Sequence, residues 1–202
     1  MKILLASLGF DEKFQIRAVM RNYKELEKVV IVGKLDDERS KKAFDSLVNF
    51  LKTAEIDYEY LEVDPRDFKS AVAKIISFIS KYKTKEFIVN LSGGMRALIV
   101  EILIAFTLSG KNARVEIETE DLLSIISFEI DYLRPLSLSI DHVNILLAIQ
   151  MGYNTITAIH KYVGIPLSTT WRRVKELQKE GLVTEDLKLT EKGELVVKIA
   201  SS

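Results

Sequence analysis

The sequence predicts an α/β protein in which a Rossmann-like, mostly parallel sheet domain precedes a small C-terminal winged helix-turn-helix domain. Three observations predict this fold class. Apolar runs alternate with amphipathic segments from residue 2 to about residue 133, as in strand–helix–strand units. The runs are almost continuously apolar, which is typical of strands covered on both faces. Beyond Pro135 the pattern changes to short helices, so we expect two domains, 1–134 and 135–202.

In the first domain, each predicted strand is an apolar or alternating run bounded by polar residues or glycine. The predicted strands cover 2–7, 28–33, 56–63, 86–91, 113–120 and 123–130. Amphipathic helices are predicted between them at 11–23, 36–54, 67–82 and 95–110. Asp11 and Asp67 suit the N-cap of their helices, and Gly110 suits a C-terminus. Strands joined by helices in this way predict ligand binding at the carboxyl ends of the strands.

The second domain is predicted to contain four helices and a wing. The helices cover 139–152, 155–164, 168–181 and the segment from Glu191 onward, with two short strands within 182–193. A serine or an aspartate begins the first helix, and Thr155 and Ser168 suit the N-caps of the next two. Gly164 ends the second helix. Two helices, a turn, a third helix and a two-stranded wing make a winged helix-turn-helix.

The composition excludes several kinds of site. The chain has no cysteines and only two histidines, so disulfides, thiol catalysis and cysteine metal sites are excluded, and we expect no metal and no cofactor. No apolar run reaches about 18 residues without a charge, which predicts a cytoplasmic protein with no membrane contact. The formal net charge is zero. This excludes a uniform polycation but leaves room for a local basic patch.

The stretch NLSGGMR, from Asn90 to Arg96, joins a predicted strand to a predicted helix. Its adjacent glycines expose backbone N–H groups at a helix N-terminus, where the helix dipole favours an anion. Ser92 adds a hydroxyl, and Arg96 adds a cation able to bind a phosphate through two hydrogen bonds. An ordinary turn is the alternative. The three-glycine dinucleotide fingerprint and the P-loop lysine are both absent, which disfavours a nicotinamide or ATP site.

Two stretches resemble the signature sequences of CARF domains, the CRISPR-associated Rossmann fold. They are SLGFDE, at the end of the first predicted strand, and NLSGGMR, after the fourth. A CARF domain followed by a winged helix resembles the archaeal CRISPR-associated transcriptional regulators of the Csa-three type. Members usually carry threonine at the position of Ser92, which keeps the hydroxyl.

The resemblance implies a homodimer that binds a cyclic oligoadenylate, with cyclic tetra-adenylate as the expected ring, across its two-fold axis. A two-fold dimer presents the same strand-end surface twice, which suits such a ring. The residues implied to bind it are Ser7, Leu8, Gly9, Phe10, Asn90, Ser92, Gly93, Gly94, Met95 and Arg96. Phe10 either stacks on an adenine or packs in the core.

The predicted helix STTWRRVKELQKEG has Val174 and Leu177 on its apolar face, completed by Thr170 or Trp171. Its basic and hydroxyl residues cluster in the N-terminal half, which is the half of a recognition helix that meets bases. The residues expected to bind DNA are Thr155, Ser168, Thr169, Thr170, Arg172, Arg173, Lys175 and Lys188. By resemblance, the double-stranded DNA would be a CRISPR leader or a cas promoter. A solvated helix without a DNA role stays open, because this domain has eight basic residues against seven acidic ones.

Three functions therefore fit the sequence. The first is a transcriptional regulator that responds to cyclic oligoadenylate. The second is a metal-independent ring nuclease, since some CARF domains cleave their own ligand by positioning a ribose 2′-hydroxyl against the next phosphate. The third is a scaffold whose winged domain binds protein. Ser7 and Ser92 have no histidine near them in sequence, so we assign no catalytic residue.

Three glutamates, Glu116, Glu118 and Glu120, alternate with Val115, Ile117 and Thr119 along a predicted strand. Such a row could hold a metal or do acid–base work. Charged residues on one face of a strand more often mark a solvated edge. We therefore predict that this strand has a solvated face.

Overall fold

The computed structural model of this protein describes residues 1–201, which divide into two compact units, one ending at Arg134 and the other starting at Pro135. The predicted fold class is confirmed: a mostly parallel sheet with helices on both faces is followed by a winged helix-turn-helix. Within residues 1–201, no helix combines the length and apolar character that crossing a membrane requires.

The first unit alternates strands and helices in the predicted order. Its strands are β1 (Lys2–Ser7), β2 (Leu26–Gly33), β3 (Asp57–Glu62), β4 (Phe87–Asn90), β5 (Ala113–Glu118) and β6 (Ile125–Glu129). Its α-helices are α1 (Lys13–Asn22), α2 (Glu38–Thr53), α3 (Phe68–Ser80) and α4 (Arg96–Ser109). The strand order across the sheet is β3-β2-β1-β4-β5-β6, with only β6 antiparallel to its neighbour.

The chain builds the sheet outward from β1 to β3 and then crosses back, so that β4 lies on the other side of β1. This reversal of strand order opens a crevice at the carboxyl ends of β1 and β4, the usual place for ligands in open α/β sheets. Alternate residues of β1 point to opposite faces. Ile3 and Leu5 pack on the side of α3 and α4, and Leu4 packs on the side of α1 and α2. Burial on both faces explains why β1 is apolar throughout.

Helix starts follow local capping chemistry. The Asp67 side chain accepts a hydrogen bond from Ser70 N, so the predicted cap of α3 is confirmed. Helix α2 begins two residues later than predicted because Asp37 and Ser40 form a capping box. Asp11 is not the N-cap of α1. The N-cap is the next residue, Glu12. The Asp11 carboxylate accepts a hydrogen bond from Lys13 N, the first residue of the helix.

The predicted solvated face of β5 is wrong for Glu116 and Glu118, which are both buried. Strand β6 lies outside β5, so β5 is not an edge. Glu118 accepts from Arg17 at 2.5 Å and from Arg21 at 2.8 Å, while Glu116 pairs with Arg21 at 3.3 Å and Arg114 at 3.2 Å. The ion pairs, most of them from α1, compensate the buried carboxylates, because an unpaired buried charge costs several kcal/mol.

The second unit contains helices α5 (Ile140–Gln150), α6 (Ile156–Val163), α7 (Leu167–Lys179) and α8 (Glu191–Ala200). Thr155 caps α6 through Ala158 N, and Gly164 ends it with φ +77°, both as predicted. Ser168 is not the cap of α7, which starts at Leu167 after Pro166. The two predicted wing strands reduce to one antiparallel bridge between Val183 and Leu189.

Candidate functional site

The turns after β1 and β4 are in backbone contact. A Cβ built on Gly9 would lie 2.8 Å from Gly94 N and 2.9 Å from Gly94 Cα. Gly94 itself has φ +93°, a conformation that L-residues other than glycine rarely adopt. Glycine is therefore needed at positions 9 and 94 because the two turns pack against each other, whether or not a ligand is bound. The two turns are packed backbone against backbone, so a ligand in this crevice meets both of them.

Buried hydrogen bonds hold the turns in place. The Ser7 hydroxyl donates to Gly93 O at 2.5 Å, and Gln15 Nε2 donates to Ser7 O at 2.5 Å. Both Ser7 and Gln15 are fully buried. Ser7, which the resemblance placed among ligand contacts, thus lies beneath the turns and braces them. Gln15 was missed because one polar residue in an amphipathic helix gives no signal in the sequence.

Ser92 is oriented by two donors. Asn90 Nδ2 donates to its hydroxyl oxygen at 3.0 Å, and Glu118 N donates to the same oxygen at 2.8 Å. With its oxygen accepting twice, the Ser92 hydroxyl has its own hydrogen left to donate. Asn90 is fully buried, so its side chain positions Ser92 from below the surface.

The start of α4 has the character of an anion site. Met95 occupies the N-cap without a side-chain hydrogen bond, and the first turn contains no acidic residue. The first amides of the 14-residue helix thus have no capping side chain, and the helix dipole adds partial positive charge there. Arg96 is exposed, and within residues 1–201 its guanidinium makes no ion pair.

A cavity of about 320 Å³ opens beside the two turns. Five of the residues implied by the resemblance line it: Leu8, Gly9, Phe10, Gly94 and Met95. Ser7, Asn90, Ser92, Gly93 and Arg96 do not line it. The remaining lining residues were not predicted: Lys34, Asp36, Asp37, Ser40, Pro65, Arg66 and Leu98. Most of them follow the carboxyl ends of β2 and β3, so the strand-end rule could have indicated those loops.

Phe10 lines the cavity, and 56% of its surface is exposed. It is therefore not a core residue, which removes one of its two predicted roles. The Arg39 guanidinium sits 4.1 Å from the ring centroid, in cation–π contact. One face of the ring is covered in this way.

In the second unit, α7 presents a polar stripe with one large aromatic residue. Ser168, Trp171, Arg172 and Lys175 are all exposed and follow the i, i+3, i+4, i+7 spacing of one helix face. Trp171 is 55% exposed, so it does not complete the apolar stripe. Thr169 lies at the margin of this face, half-buried.

Thr170 and Arg173, which the sequence predicts as DNA contacts, are less exposed than their neighbours on α7: Thr170 is buried and Arg173 is half-buried. Thr170 is fully buried, and its hydroxyl donates to Pro166 O at 3.1 Å. Arg173 donates to Glu176 Oε2 at 2.8 Å, and buried His142 on α5 contacts the same oxygen at 2.8 Å. The contact between His142 and Glu176 joins α5 to α7, and burial leaves Thr170 little access to a duplex. A DNA contact by Arg173 stays a prediction.

The two predicted contacts outside α7 are engaged locally. The Thr155 hydroxyl accepts from Ala158 N at 3.1 Å as the cap of α6. Lys188 pairs with Asp186 at 2.8 Å on the wing, and this contact holds the pKa of Asp186 at about 2. Both residues remain exposed. Their predicted backbone contacts with DNA stay predictions.

Residues 2–129 match the family model described as the Csa3 CRISPR-associated Rossmann-like domain. A model described as winged helix-turn-helix DNA-binding matches residues 144–184. A search of curated proteins found no match to this chain.

Two solved structures share the fold at low sequence identity. Can2 from Sulfobacillus thermosulfidooxidans, in complex with cyclic tetra-adenylate, is 12% identical with a TM-score of 0.52, over 98% of this chain and 64% of that one. Csm6 from Enterococcus italicus, bound to cyclic hexa-2′-fluoro-hexa-dAMP, is 13% identical with a TM-score of 0.51, over 100% of this chain and 54% of that one. The chain thus spans less than two thirds of either protein, and the likeness shows the fold.

Proposed function

This chain belongs to the Csa3 CRISPR-associated Rossmann-like domain family, and from that membership we propose that it is a transcriptional regulator controlled by a cyclic oligoadenylate. The ligand binds in the crevice between β1 and β4, and double-stranded DNA binds along the exposed face of α7. The observation that carries the proposal is the pair of interlocked turns beside the uncapped start of α4. Backbone amides at the positive end of a helix dipole suit a polyanion.

Cyclic tetra-adenylate is the proposed ligand, bound by a homodimer. Can2, which shares the fold, is in complex with this ring, and Csm6 is bound to a cyclic analogue of six units. A ring of four identical units can meet two copies of the same crevice around a two-fold axis. The exposed Arg96 and the Ser92 hydroxyl supply hydrogen-bond donors for its phosphates.

Calorimetry with cyclic oligoadenylates of four and six units tests this ligand. We expect Arg96→Ala to weaken binding of the preferred ring by about 1.5–3 kcal/mol, the range for hydrogen bonds to charged groups. Lys74→Ala is the control, because Lys74 is an exposed cation on α3 outside the cavity lining. Equal affinities for wild type and Arg96→Ala would remove Arg96 from the site. Absence of heat with every ring would overturn the proposed ligand.

DNA binding is proposed for the face of Ser168, Trp171, Arg172 and Lys175. Each cation that neutralises a phosphate adds about 0.9 to the slope of log K against log salt. We expect the double variant Arg172→Ala, Lys175→Ala to flatten this slope by up to about 2. The measurement is a gel-shift salt series on the CRISPR leader or a cas promoter.

The control for DNA binding is Lys161→Ala, which removes an exposed cation from the last turn of α6. We expect it to leave the slope unchanged. A double variant with the wild-type slope would contradict DNA binding by this face of α7. It would favour a scaffold role in which the winged domain binds protein.

Coupling between the two activities follows from linkage. The ligand can alter DNA affinity only if it binds the DNA-competent arrangement of the dimer with a different affinity from the other arrangement. By the same linkage, operator DNA must change ligand affinity by the same factor. DNA with two half-sites one helical turn apart, ~34 Å, is expected to bind most tightly to the DNA-competent arrangement of the dimer.

A ring nuclease is the second candidate, because the oriented Ser92 hydroxyl and the free Arg96 guanidinium lie at the same helix start. In that reaction a ribose 2′-oxygen attacks the adjacent phosphorus, the bond to the 5′-oxygen breaks, and the proton passes to the leaving oxygen through solvent. Arg96 would stabilise the developing phosphorane charge. Linear products from labelled cyclic tetra-adenylate would establish this activity, and an intact ring after long incubation would exclude it.

A further inference from the structure

The only tryptophan of the chain, Trp171, lies on α7 outside the core of the second unit. Trp171 is 55% exposed, and Leu167, one helical turn earlier, is 49% exposed. Residues at this i, i+4 spacing are neighbours on one helix face. Together they make an apolar surface, the Leu167–Trp171 strip, that the second unit does not bury.

The strip lies among cations and has no free acid near it on α7. The exposed polar residues of the N-terminal half around it are Ser168, Arg172 and Lys175. The only acidic residue of α7 is Glu176, whose carboxylate accepts from Arg173 and contacts His142. An apolar surface between unopposed cations suits a partner that carries negative charge outside and apolar groups within. Duplex DNA has this character, since phosphates flank a groove in which thymine methyl groups are exposed.

The opposite face of α7 holds the strip in place. Val174 and Leu177 pack in the core of the second unit, and the buried Thr170 hydroxyl donates to Pro166 O at 3.1 Å. Leu167 is the first residue of α7 and Trp171 is the fifth. The strip therefore belongs to the half of a recognition helix that meets base edges.

We propose that the Leu167–Trp171 strip recognises thymine by packing against its 5-methyl group in the major groove. The inference rests on the proposed function, since it assigns bases to the DNA that α7 binds. The methyl group is the one apolar group that a base pair presents in the major groove. Burying it against apolar surface strengthens binding about threefold to fourfold. Arg172 and Lys175 bind phosphates whatever the sequence, so the strip supplies selection that these cations do not.

The test is a gel-shift titration of the full chain on the cas promoter or CRISPR leader duplex, at the site located by footprinting. One duplex carries thymine throughout the site, and the other carries uracil at every thymine position. Uracil lacks only the methyl group and keeps the base pairing and the O4 acceptor. For wild type we expect the uracil duplex to bind about tenfold more weakly, which corresponds to two methyl contacts of about threefold each.

The variant Trp171→Ala tests the residue. We expect its preference for thymine over uracil to fall to about a third or less of the wild-type preference. The slope of log K against log salt should stay unchanged, because no charge is lost. Any effect of uracil on duplex shape acts on both proteins and cancels in this comparison. Trp171→Phe keeps an apolar ring and should retain most of the preference.

The matched control is Leu195→Ala, which removes an exposed apolar side chain from α8 in the same unit. We expect it to keep the wild-type affinity for both duplexes. Thermal unfolding of each variant verifies that it folds.

Tryptophan fluorescence gives a second measurement that needs no variant. Because the chain has one tryptophan, its emission comes from α7 alone. Contact with DNA removes the Trp171 indole from water. We therefore expect saturating promoter duplex to shift the emission to shorter wavelength and to reduce its quenching by acrylamide.

The outcomes separate this inference from the proposed function. Equal wild-type affinity for the thymine and uracil duplexes overturns thymine recognition and leaves DNA binding intact. A preference that Trp171→Ala keeps in full, or an emission that saturating DNA leaves unchanged, overturns the contact by Trp171. No binding of either duplex overturns the proposed function itself.

Discussion

Glu101→Gln is expected to raise the free energy of unfolding of the first unit by about 3 kcal/mol at pH 8. Glu101 lies on α4 with 1% of its surface exposed, and within residues 1–201 neither carboxyl oxygen has a hydrogen-bond partner. Burial raises the pKa of its carboxyl from 4.5 to about 7, with smaller contributions from the charges of Asp64 and Asp67. Glutamine has the same shape and no charge.

The sign follows from proton binding in the two states. In the unfolded chain the Glu101 carboxyl ionises near pH 4.5, whereas in the folded protein it keeps its proton to about pH 7. Between these values the folded state binds the extra proton, so the stability of the wild type falls as pH rises. The loss is complete above about pH 7. Below pH 4.5 both states are protonated, and wild type and Glu101→Gln should be nearly equal in stability.

Urea unfolding at pH 4.5, 6 and 8 measures this difference, monitored on the first unit. The control is Glu120→Gln, an exposed change just beyond β5 that should shift stability by no more than about 0.5 kcal/mol at any pH. A gap between Glu101→Gln and wild type that stays constant with pH would contradict the buried acid. A gap that shrinks as pH rises would contradict the sign.

Gly9→Ala is expected to destabilise the first unit by about 1–3 kcal/mol, the usual cost of overpacking, and to weaken binding of the cyclic ligand by about tenfold. The new methyl group would meet Gly94 N at 2.8 Å and Gly94 Cα at 2.9 Å. Both atoms are backbone, so the two turns must separate. Separation moves the amides at the start of α4 away from the turn after β1. The two parts of the proposed anion site then no longer meet the ligand together.

Gly110→Ala separates instability from loss of the site. Gly110 ends α4 with φ +69°, and a Cβ there would meet nothing within 4 Å. An alanine in this conformation costs about 1 kcal/mol without touching the crevice. We expect Gly110→Ala to lower the midpoint of unfolding and to keep wild-type ligand affinity. Equal ligand affinities for Gly9→Ala and Gly110→Ala would show that contact between the turns does not shape the site.

This fold contains buried polar groups that are hydrogen-bonded and a buried carboxyl that is not. At the turns, the Ser7 hydroxyl and the Gln15 amide nitrogen both donate buried hydrogen bonds to backbone oxygens. Glu101, in contrast, is buried on α4 without compensation. Strained or unpaired groups near sites commonly mark stability given up for function. Measuring ligand affinity of Glu101→Gln alongside its stability will show whether this acid affects the crevice.

Much of the candidate site could be found from sequence because its signals are local. Gly93 and Gly94 follow an apolar run and precede a helix, which identifies a special turn without any structure. The sequence alone could not show that Gly94 must be a glycine partly because it packs against Gly9. These two residues meet only when β1 and β4 pair. Asp36 and Arg66 escaped notice for the same reason. Each follows a different strand, and only the sheet brings them to one cavity.

The sequence by itself determined the order of strands and helices along the chain and most helix caps, because periodicity and capping depend on residues within a few positions of one another. Only the tertiary structure decided that Glu116 and Glu118 are buried among arginines, that Thr170 is buried, and that Asp36 and Asp37 line the cavity. Those outcomes depend on which element packs against which. A residue's exposure is a property of its neighbours in space, and contacts between residues far apart in the chain leave no periodic trace in the sequence.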